Sequence, residues 1–129
     1  MAEWNEVKDY LKTNFDLQKD DDDFLKIAVE LGEDWYQPVF IQKTTAQSGD
    51  VWVQIVSPVG AIDENDLNKA LEMLNTRICG GLIKIGKKHY IRHSMLINSL
   101  SPEYIGTITH IVSDVADEME GEFIDDEDN

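Results

Sequence analysis

A chain of 129 residues with 26 Asp and Glu against 11 Lys and Arg has a formal net charge of −15; 42% of it is hydrophobic and 9% aromatic. That length predicts one domain with a single core, and the apolar fraction excludes a chain disordered throughout. The lone Cys79 excludes a disulfide framework and fits a reducing compartment; no apolar run suits a membrane span, the first ten residues lack a signal-peptide core, and the acidity argues against nucleic acid, so a cytoplasmic protein is expected.

Trp4, Val7, Leu11 and Phe15, spaced three, four and four, predict a short amphipathic helix over residues 3 to 15. Asp20 to Asp23 lack the spaced ligands and sharp-turn glycine of a calcium loop, and read as an exposed turn. From Asp23 the period becomes two. Leu25, Ile27, Val29 and Leu31 alternate with Phe24, Lys26, Ala28 and Glu30. Gly32-Glu33-Asp34 and Gln47-Ser48-Gly49-Asp50 are turns on either side of a second strand, Pro38 to Thr45. A third strand follows through Val51, Val53 and Ile55, with Trp52, Gln54 and Val56 on its other side, and a loop at Ser57-Pro58-Val59-Gly60 ends it. Short connections make these three strands an antiparallel meander.

Asp63 is an expected N-cap for a helix carrying Leu67, Ala70, Leu71, Leu74 and Ile78, and Gly80-Gly81 supplies its stop. Ile83 and Ile85 belong to a fourth strand, Gly86-Lys87-Lys88 to a hairpin turn, and residues 89 to 97 to a fifth strand. Ser101-Pro102-Glu103 opens a last helix with the stripe Ile105, Ile108, Val112, Val115 and Met119. The expected fold is therefore α+β, with helices packed on an antiparallel sheet in the order α-β-β-β-α-β-β-α.

Charge is unevenly spread. Residues 117 to 129 hold Asp117, Glu118, Glu120, Glu122, Asp125, Asp126, Glu127 and Asp128 with no Lys or Arg. Such a run repels itself, so residues 120–129 are expected to be a disordered, solubilising acidic tail behind a single domain of residues 1–119. Between Glu72 and Glu103 there is no acid, whereas Arg77, Lys84, Lys87, Lys88 and Arg92 lie there beside His89 and His93. Nucleic-acid binding is one reading of that segment. The global charge favours another, in which hairpin edges steer an acidic partner or a second subunit.

No motif dictates a reaction. Gly81 to Lys88 nearly matches a phosphate-binding loop, but Lys88 replaces the required hydroxyl, and a strand rather than a helix should follow. His89 and His93 lie four apart on a strand, roughly 13 Å, too far to share one zinc. Cys79 at a helix end reads as a packed residue rather than a nucleophile partnered by a histidine. Carboxylates abound without a pair set apart by a pocket. No catalytic, cofactor or metal-ligating residues are assigned, and a non-enzymatic protein is expected.

The sheet's second face is more informative. With Leu25, Ile27, Val53 and Ile55 toward the helices, Phe24, Ala28, Phe40, Trp52 and Val56 lie opposite, mixed with Lys26, Glu30, Gln42 and Gln54. A face left in water should be mostly polar. Either the first helix or the tail covers it, or it is a partner surface, with Trp4 and Trp35 as possible borders.

The element order and the acidity, together with the segment Asp63 to Leu100, resemble the class I type III secretion chaperones and the related YbjN-like domains. That segment comprises the helix with Leu67, Leu71, Leu74 and Asn75, the Gly80-Gly81 stop, the hairpin through Tyr90 and Arg92, and the following Ser101-Pro102-Glu103. The resemblance spans about Trp4 to Met119. It implies a small cytoplasmic homodimer that binds protein segments and has no enzymatic activity; YbjN-like domains are associated with regulatory roles. Phe24, Ala28, Phe40, Trp52 and Val56 are the candidate partner-binding residues. The alternatives are an acidic regulator competing through its tail for a basic partner, and a small-molecule-binding domain with a pocket between sheet and helices.

Overall fold

The computed structural model describes residues 3–78 and 80–124, so Cys79 and residues 125–129 lie outside the described residues. Helix α1 (Trp4–Asn14) is followed by β1 (Asp16–Asp21), β2 (Phe24–Gly32), β3 (Trp35–Thr45) and β4 (Val51–Gly60). Helix α2 (Leu67–Leu74), the hairpin of β5 (Gly81–Ile85) and β6 (Lys88–Leu96), and the long helix α3 (Pro102–Phe123) complete the chain. The strands form one antiparallel sheet in the order β1-β2-β3-β4-β6-β5. The fold is α+β as the periodicity predicts. No helix among the described residues is long and apolar enough to cross a membrane.

Odd-numbered positions of β2, β3, β4 and β6 build the core. Leu25, Ile27, Val29, Val39, Ile41, Val53, Ile55 and Ile91 are fully buried, in one cluster with Val7 and Leu11 of α1 and Ile105, Val112, Val115 and Met119 of α3. Both helices therefore cover the same sheet face. Helix α3 starts as its sequence dictates, with Ser101 Oγ accepting from the Tyr104 N–H at 3.2 Å and Pro102 in the first turn. Gly106 lets it cross α1 closely; a Cβ there would stand 2.6 Å from the Tyr10 ring. Buried polar groups on this side are paired. The Gln37 side-chain amide donates to Ser57 Oγ (3.0 Å) and the Pro58 carbonyl (2.9 Å), and Ser57 Oγ donates to the Pro38 carbonyl (2.7 Å). His89 Nδ1 accepts the Ile62 N–H at 3.1 Å.

Several boundaries differ from the sequence expectation, among them the start of β3 at Trp35 rather than Pro38. Residues 16–21 form β1, so four strands rather than three precede α2, and of the Asp run only Asp22 and Asp23 make the turn. Every residue of this edge strand is exposed, so it lacks the alternation that reveals a half-buried strand. Strand β4 continues through Gly60 instead of ending before Ser57; its register shifts between Pro58 and Gly60, a bulge that accommodates a residue without an N–H. Helix α2 stops at Leu74, and Leu71 and Ile78 are 54% and 94% exposed, because Ala70 alone of that stripe is fully buried. Helix α3 runs through Phe123, and Ile124 is buried against Gly60, so residues 120–124 belong to the domain rather than the predicted tail. Apolar Phe123 and Ile124 outweigh the repulsion among neighbouring acids.

Candidate functional site

The helices leave the even-numbered face of the sheet uncovered. Pairing orders it into rows across the strands. One row reads Lys26, Phe40, Val56 and Arg92; the next Phe24, Gln42, Gln54 and Ser94; the third Thr44, Trp52 and Leu96. Phe24 and Phe40 stack at 5.9 Å between ring centroids, and Lys26 Nζ lies 5.8 Å from the Phe40 centroid. Phe24, Phe40, Trp52 and Val56 are each half-buried, shielded by their neighbours and by no second layer among the described residues.

Of the five residues predicted for this face, the structure brings Phe24, Phe40 and Val56 together. Trp52 stands apart with Leu96, about 13 Å along β4 from Val56, beyond the polar row. Trp52 and Leu96 border a groove of ≈ 630 Å³ continued by Met95, Leu100 and Tyr104, the last 50% exposed. Ala28 is 8% exposed, a methyl group between its cross-strand neighbours Asp16 and Pro38, and offers little contact surface. The sequence missed Leu96, Leu100 and Tyr104. Leu96 falls at the end of a strand and Leu100 in a connection, so no periodicity marks either.

Neither remaining tryptophan borders this face. Trp4 is buried in the core and donates its indole N–H to the Asp22 carbonyl at 2.7 Å. Trp35 is on the helix side, where its indole N–H reaches the Asp117 carboxylate at 2.9 Å. The aspartate run has a structural use. Asp20 accepts from Lys8 (2.7 Å) and Lys12 (2.5 Å), tying α1 to the β1–β2 hairpin. The hydrogen bond from Lys12, reinforced by that from Lys8, holds the Asp20 carboxyl below its ordinary range, and Asp20 raises Lys12 in return.

Gly81 to Lys88 run through β5 and the hairpin turn into β6, so a strand rather than a helix opens after the would-be phosphate loop. His89 and His93 both lie on β6 toward the helices, and the His110 ring on α3 packs on Phe15 at 5.0 Å. The chemistry on the open face is apolar contact framed by Lys26 and Arg92, with Gln42, Gln54 and Ser94 offering hydrogen bonds between the apolar rows. No protein-family model matches the chain, and no curated protein matches it either.

Proposed function

We propose that the protein is a non-enzymatic, cytoplasmic protein-interaction domain of the secretion-chaperone-like and YbjN-like kind, working as a homodimer and binding a protein segment across the open sheet face. One observation carries the reading: both long helices pack on one side, leaving Phe24, Phe40, Val56 and Trp52 half-covered on the other. Aromatic side chains at the water-facing surface of a sheet mark a partner surface more often than a solvent face. The two apolar rows are about 13 Å apart, the span of four residues of extended chain. The fitting occupant is an extended segment lying along β4 with large apolar side chains four residues apart.

Trp52→Ser and Phe40→Ser should abolish capture of the partner identified by affinity purification and mass spectrometry. Each should lower unfolding stability by less than about 2 kcal/mol, since these side chains are already partly wet. Severe unfolding of both variants would make the rings core and overturn the reading. A monomeric mass by light scattering at tens of micromolar would remove the homodimer.

A further inference from the structure

Among the described residues strand β5 is an outer strand of the sheet, paired with β6 on one side only. Its free edge exposes N–H and C=O groups at alternate residues, a template for a further strand. Around it the chain reverses its charge. Lys84 projects on the helix side opposite His89, Arg92 on the open side, Lys87 stands in the turn, and Lys88 borders a groove it shares with Glu120 and Ile124 of the α3 end. None of these four makes an ion pair with a carboxylate among the described residues, whereas Arg77 is committed to Glu118. Beside them Ile85 is 59% exposed and Ile83 half-buried. Unneutralised cations flanking an unpaired, partly apolar edge are unexpected on a protein of net charge −15.

We propose that the β5 edge is a second docking surface, sharing only Arg92 with the open sheet face, which takes an extended acidic polypeptide segment as an added strand. Strand addition supplies main-chain hydrogen bonds, while cations on both faces of the edge meet acids on both faces of the incoming strand. A short segment matches the five residues of β5. A nucleic-acid strand would run on past the cations into the acidic remainder of the molecule. A second copy paired β5 to β5 would bring two sets of lysines together with no acid between them.

The test uses the full chain and a fluorescein-labelled ten-residue peptide of repeating Glu-Glu-Val-Val, which as a strand carries acids on both faces. Saturable binding is expected, with amide exchange slowed in Gly81–Ile85 and unchanged in β1. K84E/K87E/K88E should weaken it more than about tenfold, the three-arginine variant should retain it, and added salt should weaken it. Trp52→Ser should leave it unchanged, which separates this surface from the open face. Equal binding of a peptide with Lys in place of Glu overturns the proposal. So does tighter binding of a single-stranded oligonucleotide, exchange protection elsewhere, or a dimer that K84E/K87E/K88E converts to monomer.

Discussion

Gly80 has φ +102, and a Cβ on it would stand 2.6 Å from Cγ2 of Ile91, a side chain that is fully buried and has nowhere to move. Gly80→Ala should therefore destabilise the fold by about 2–3 kcal/mol, read as a lower urea midpoint at unchanged slope. Gln37→Leu keeps the volume but strips both donors from Ser57 Oγ and the Pro58 carbonyl. A loss of about 1–3 kcal/mol is expected in the same measurement. At this scale the sequence is legible where a residue's neighbours along the chain decide its fate, as with the Ser101 cap. It is silent where they do not. Nothing local says that Trp4 reaches the Asp22 carbonyl, or that Gln37 lies inside the core.

At the scale of elements, apolar alternation and stripes predict α1, β2, the first part of β4 and the body of α3, because those elements bury one face against a single core. Strand β1 escapes detection because it buries neither face and is held from outside. Asp20, on β1, is clamped by Lys8 and Lys12 of α1. The folded state holds the Asp20 carboxyl below its unfolded value, so the stability it lends is present above the ordinary carboxylate range and is lost as the pH falls through the folded value. Asp20→Asn should therefore lower the thermal midpoint at neutral pH and leave it little changed in strong acid, flattening the acid limb of the stability curve. Equal losses at both pH values would mean that the ion pairs are not what Asp20 contributes. Three of the five predicted face residues cluster because the period of two places them on one side. The separation of Trp52 follows from cross-strand register, which periodicity does not encode.

For the whole molecule, charge is the dominant long-range term. With 26 acids against 11 Lys and Arg, compaction opposes self-repulsion, so raising salt should stabilise the fold: the thermal midpoint should rise between about 20 and 300 mM NaCl. A falling midpoint would mean that specific pairs such as Lys12–Asp20 outweigh the repulsion. The acidity and the basic hairpin are both plain in the sequence. Which sheet border each occupies is not, since β1 and β5 are placed by pairing order rather than by chain order.

That placement has an electrical consequence. Asp16, Asp20 and Asp21 of one outer strand, with Asp22 and Asp23 in its turn, outnumber Lys8, Lys12 and Lys19 beside them, and the lysines of the β5–β6 hairpin lie about 24 Å away across the strands. The sheet thereby contributes a dipole moment along its hydrogen-bonding direction. A diffusing molecule turns in the field of a charged surface before touching it, so an anionic body is met hairpin first and a cationic one by the opposite rim.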